Sequence, residues 1–155
     1  MVRWVTVAGL FVVFALVGTG PLTGVDVTSA ADTSFGDGDA TVTDITVDRS
    51  ELALTPGRFG ANVTYLRVPT ATVTVGGVTD RPRLLYVVSV PALDIRLIES
   101  RVVTGPGTYR LAPDDRAIPP GTAGGSYDAT LSVRVQSFTG DRPLTRATVT
   151  VGGQP

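Results

Sequence analysis

Histidine, cysteine and lysine are all missing from this sequence, and every one of its 13 basic residues is arginine, set against 14 acidic ones. Ser-His-Asp and Cys-His nucleophile systems, Ser-Lys pairs, His-ligated zinc and disulfides therefore have no residues to form from. Carboxylates remain. Two suffice for glycoside hydrolysis, but Glu51 follows a turn and Glu99 lies inside a strand-like run, and no spacing brings them together. Asp37, Asp39 and Asp44 could offer oxygens to Ca²⁺ from a Gly-bearing segment. Their spacing fits no EF-hand loop, and the composition reads as solvated linker. Gly76-Gly77 and Gly124-Gly125 are expected between strands, with no helix following to cradle an anion. The expectation is a chain with no catalytic, cofactor or metal site, and not an enzyme.

Binding chemistry is better represented. Arg67, Arg83, Arg96, Arg101, Arg110, Arg134 and Arg146 fall in strand-like runs. They could form a surface for anionic glycan or lipid headgroups, although such residues commonly cover a solvent face and pair with neighbours. A formal net charge of −1 leaves no basic stripe of the kind nucleic acid requires, so no nucleic-acid partner is expected. Asp114-Asp115 sit in a Pro-bearing stretch from Ala112 to Gly125, predicted as a long loop and hence a place for a binding surface. Asn62-Val63-Thr64 is a glycosylation sequon; Asn62 should point outward if its run is a strand. Phe59, Tyr65 and Tyr86 read as core or edge packing in place of a sugar-stacking platform.

What must position these residues follows from composition. With 155 residues, 43% of them hydrophobic, the chain suits one domain plus a targeting segment. Met1-Val2-Arg3 precedes an apolar run from Trp4 to Val17, which Gly18-Thr19-Gly20-Pro21 interrupts before Leu22. Residues 1–25 are expected to form a hydrophobic helix that anchors the chain in a membrane through residues 4–25, with Arg3 inside. The alternative is a signal peptide cleaved at Ser29-Ala30-Ala31. Either way the remainder is exported, through a linker over residues 26–38 to a β domain over residues 39–153.

That domain is rich in β-branched Val and Thr, which favour pleated sheet. The chain's 18 glycines and 11 prolines punctuate its short runs. Strands are predicted at Ala40–Val47, around Leu52 and Leu54, and at Ala61–Val68, Ala71–Val75, Arg83–Val90, Ile95–Val103, Thr108–Leu111, Tyr127–Gln136 and Leu144–Val151. In the first, Ala40 and Val42 are out of phase with Ile45 and Val47, so a bulge near Thr43-Asp44 is expected. Arg83–Val90 is apolar on both faces and should be central. In the last hairpin, placing Phe138 opposite Leu144 also pairs Val135 with Ala147, Val133 with Val149 and Leu131 with Val151.

The run GGSYDATLSVRV, from Gly124 to Val135, resembles the penultimate strand of immunoglobulin-like domains, particularly bacterial and archaeal surface modules. The all-arginine, Asp-, Thr-, Val- and Ala-rich composition is similar to that of haloarchaeal proteins. The resemblance implies an all-β, Ig-like antiparallel β-sandwich of about 7–9 strands after one N-terminal helix. It also implies that Tyr127 forms a tyrosine corner, its hydroxyl bonding back to nearby backbone. The disulfide and core Trp of antibody-type domains have no counterpart. The function expected is that of a non-enzymatic, membrane-tethered cell-envelope protein making protein or glycan contacts; the alternative is a secreted binder or inhibitor released near Ala31.

Overall fold

The computed structural model describes residues 36–57, 62–122 and 124–152. They belong to a compact unit that begins at Ser34. The hydrophobic segment of residues 1–25 and the cleavage site at Ser29-Ala30-Ala31 lie outside the described residues.

Within those residues the chain is all-β, with ten strands and two short 3-10 turns. The strands are β1 (Gly38–Val47), β2 (Ala53–Pro56), β3 (Thr64–Arg67), β4 (Ala71–Asp80), β5 (Arg83–Val90), β6 (Ile95–Val102), β7 (Gly107–Leu111), β8 (Arg116–Ile118), β9 (Ser126–Gln136) and β10 (Asp141–Gly152). All pairings are antiparallel and build three sheets, ordered β1-β4-β7, β10-β9-β5-β6 and β2-β3-β8. No helix among the described residues is long and apolar enough to cross a membrane.

One hydrophobic cluster draws on all three sheets. Val73 and Leu111 come from the first, Leu84, Tyr86, Leu131 and Val133 from the second, and Leu54, Leu66 and Ile118 from the third. Strict alternation puts them there: in β5, Leu84, Tyr86, Val88 and Val90 are buried, while Arg83, Leu85, Val87 and Ser89 are half-buried on the other face. β5 is central as expected, paired to β6 on one side and β9 on the other.

The irregularity expected in β1 is present and has a counterpart. Thr41 pairs with Gly77, Val42 with Val75 and Asp44 with Thr74, so Thr43 and Gly76 are each skipped. Both strands change phase together, and Ala40, Val42, Ile45 and Val47 all reach the core cluster. A Cβ on Gly76 would lie 2.9 Å from the Thr43 methyl, too close for an unshifted side chain. Gly76-Gly77 is therefore inside β4, not between strands.

Three further expectations change. The stretch from Ala112 to Gly125 is not one loop, since Arg116–Ile118 forms β8 against β3; this strand takes the count past nine. The run expected at Ala61–Val68 contributes strand only over Thr64–Arg67. The β9–β10 hairpin exists, but its register is tighter by four residues: Leu131 faces Ala147, Val133 faces Thr145 and Ala129 faces Val149. The turn is shorter because Ser137 N–H donates to the Gly140 carbonyl at 2.8 Å, so the returning strand begins at Asp141. Pro143 is tolerated because β10 is an edge strand, with a register break just after it.

Candidate functional site

The sheet β10-β9-β5-β6 turns one face to the core and leaves the other open. On the open face, rows of side chains run across the strands as the pairing dictates. Arg146, Ser132, Val87 and Ile98 form one row; Thr148, Thr130, Ser89 and Arg96 form the next. Arg134, between Pro143 and Leu85, lies on the other side of the first row. Together they shape a concavity of about 510 Å³, lined by Arg96, Arg134 and Arg146 with Val87, Ser89, Thr130 and Ser132, and by Pro91 and Pro143.

The three arginines are not equivalent. Arg134 Nε donates to an Asp141 carboxylate oxygen at 3.1 Å, which offsets its charge. Arg96 and Arg146 are exposed and have no ion-pair partner among the described residues. Strands lie about 4.8 Å apart, so Arg146 on β10 and Arg96 on β6 spring from backbones roughly 14 Å apart. Their long side chains can lean inward over a floor of hydroxyls. Such a surface can donate paired hydrogen bonds to carboxylate or sulfate groups while its floor exchanges hydrogen bonds with hydroxyls.

The other strand arginines are elsewhere. Arg67 bonds Asp115 at 2.6 Å, and Asp115 also accepts from Val68 N–H at 3.1 Å. Asp115 thus holds the chain entering β8 against β3, a structural duty in a stretch expected to be a binding loop. Arg83 donates to Gln136 at 3.0 Å. Arg101 lies on β6 and Arg110 on β7, outside the concavity.

The carboxylates do not converge: no group of three that could hold a metal ion occurs among the described residues. Asp39 accepts from Arg142 at 2.8 Å and from Ala40 N–H at 2.8 Å. The arginine hydrogen bond holds its carboxyl below the usual range. Arg142 also donates to the Ala40 carbonyl at 3.0 Å, so it fastens the start of β10 to the start of β1. Sequence spacing offers no sign of this clasp, whose partners are 103 positions apart. Asp44 accepts from Thr46 at 3.1 Å. Asp48 caps the turn at Arg49–Glu51, and hydrogen bonds from the Ser50 hydroxyl and N–H lower its pKa.

A second concavity, about 430 Å³, lies between the end of β1 and the inner side of β9 and β10, with Ile45, Val47, Leu131, Val133 and Ala147 among its walls. Tyr86 lies beneath it, fully buried, and its hydroxyl has no hydrogen-bond partner. Burial pushes that phenol well above its ordinary pKa. Tyr86 is itself among the residues that line this concavity.

Asn62 is exposed, just ahead of β3. The Tyr127 hydroxyl donates to the Thr122 carbonyl at 2.7 Å, five residues upstream. Tyr109 does the same to Gly105 at 2.7 Å, four residues upstream, a contact no motif announced. Tyr86 is core, whereas Tyr65 is exposed on β3, the middle strand of its sheet, so it is neither core nor edge; Phe59 lies outside the described residues.

Set against known protein families, curated proteins and solved structures, the chain matches none of them.

Proposed function

We propose that this chain is a non-enzymatic cell-envelope protein: an Ig-like β-sandwich displayed outside the cell from a membrane-spanning segment at residues 4–25, working by contact with an envelope protein or glycan. The observation that carries this reading is the open face of the β10-β9-β5-β6 sheet, where three arginines and three hydroxyl side chains line one concavity. Arg96 and Arg146 on this face have no ion-pair partner among the described residues, which leaves both guanidinium groups to a ligand. Support for the sandwich comes from antiparallel sheets sharing one apolar cluster and from the Tyr127 hydroxyl bonded back to the Thr122 carbonyl. Of the run Gly124–Val135 that carried the family resemblance, Ser126 onward lies within β9, beside β5.

The test combines fractionation with site-specific photo-crosslinking in the native cells. A photoreactive residue at Thr148, on the open face, is expected to capture an envelope component. The same residue at Thr108, on the sheet β1-β4-β7, is not. Mass spectrometry of the membrane fraction should find the N-terminus intact. A soluble protein beginning near Asp32 would remove the tether and leave a secreted binder; equal capture from both positions would remove the face.

A further inference from the structure

Building on that reading, we propose that the concavity lined by Arg96, Arg134 and Arg146 binds an acidic polysaccharide, seating successive carboxylate- or sulfate-bearing sugars. The charge argument is direct. The chain as a whole carries a formal charge of −1, yet this one concavity gathers three guanidinium groups, of which only that of Arg134 is in an ion pair among the described residues, with Asp141. Guanidinium is the side chain best matched to planar oxyanions, because its fork gives two parallel hydrogen bonds to one carboxylate. The two uncompensated forks stand on opposite sides of the floor, three strands apart. A ligand that uses both must carry at least two acidic groups separated along its length, which a chain of acidic sugars does.

The floor separates a glycan from the other anions. Protein partners are anchored through aromatic or aliphatic side chains that fill pockets at the centre of the interface. Here a single aliphatic side chain other than the prolines, Val87, shares the floor with Ser89, Thr130 and Ser132, whose hydroxyls suit those of a sugar ring. A bilayer surface is met by basic residues together with several apolar side chains that insert, and the rows of this face offer one exposed large one, Ile98. At about 510 Å³ it is of the size that encloses a small ligand or a short segment of a polymer, smaller than a protein docking face.

Calorimetric titration of the full-length chain tests this with four probes: a hexasaccharide of hexuronic acid, a neutral hexasaccharide, hexaglutamate, and vesicles of an anionic phospholipid. The uronic hexasaccharide is expected to bind and the neutral one not. Binding should weaken at least tenfold in the double variant Arg96→Gln/Arg146→Gln, stay unchanged in Arg110→Gln on β7, and fall with added salt. Both substituted side chains are exposed, and an unchanged melting temperature would show the fold intact. Hexaglutamate or vesicles binding as tightly as the uronic chain would overturn the assignment to sugars, as would binding indifferent to the double variant. Should the uronic chain fail while Thr148 still captures an envelope component, the ligand class falls and the contact surface stands. Failure of both removes the surface as well.

Discussion

At the scale of single residues, two tyrosines with opposite hydrogen-bond economies make the sharpest contrast. Tyr86 is wholly buried with an unpartnered hydroxyl, whereas Tyr127 keeps its ring half-covered and its hydroxyl satisfied by Thr122. A buried polar group without a partner carries its full desolvation cost, about 1–3 kcal/mol. Tyr86→Phe should therefore be neutral or should raise unfolding stability by roughly 1 kcal/mol, read from the urea midpoint at constant slope. Tyr127→Phe leaves the Thr122 carbonyl with one bond fewer and should lower stability by about 0.5–1.5 kcal/mol. A matching loss in Tyr109→Phe would show that the two back-bonded hydroxyls are equivalent. The sequence distinguished these roles only in part. Tyr86 reads from sequence as core or edge packing in a run apolar on both faces, and no pattern says whether a core hydroxyl finds a partner across sheets.

At the scale of elements, what periodicity records came through and what it leaves degenerate did not. Side-chain alternation identified β1 with its phase change, β9 and β10, because burial on one face writes itself into the sequence every second residue, while β5 stood out as a run apolar on both faces. The β9–β10 register came out four residues too loose. A shift by an even number leaves every apolar residue on the same face, so alternation cannot choose between Val133 opposite Val149 and Val133 opposite Thr145. Turn geometry made the choice. β8 escaped notice because three residues are too short to show a period, and its place depends on Asp115 reaching Arg67 and Val68. The arginine-lined concavity was half legible. Each arginine was visible in a strand, but grouping Arg96 and Arg146 on one face needs the order β10-β9-β5-β6, which no local pattern encodes.

On the scale of the whole molecule, the Asp39–Arg142 pair joins strands from different sheets and makes stability depend on acid. Because the carboxyl of Asp39 is held below its usual pKa in the folded chain, folding favours its ionised form. Its contribution is complete above the ordinary carboxylate range, near pH 4, and disappears as pH falls through that range to below the folded value. Asp48, lowered by Ser50, acts in the same direction. The stability difference between the natural chain and Asp39→Asn should therefore be constant from neutral pH to about pH 5 and shrink towards zero as pH falls below the ordinary carboxylate range. Urea midpoints of the two proteins measured along that series check it. A difference that stays flat through acid would mean the clasp does not form in solution.

The paired irregularity of β1 and β4 has a consequence for chain length. Since Thr43 and Gly76 are both passed over, pairing resumes beyond them in the offset it had before. Each strand carries one residue that the ladder does not need. Deleting Thr43 and Gly76 together would bring Val42 next to Ile45, and Val75 next to Val78, at plain two-residue spacing with every inward residue kept inward. Deleting either alone leaves an ordinary one-sided bulge. A deletion scan across the domain should therefore find this pair of positions forgiving, and more forgiving jointly than singly. Such matched extra residues are what two strands would hold after lengthening in step, each addition answered by one on its neighbour.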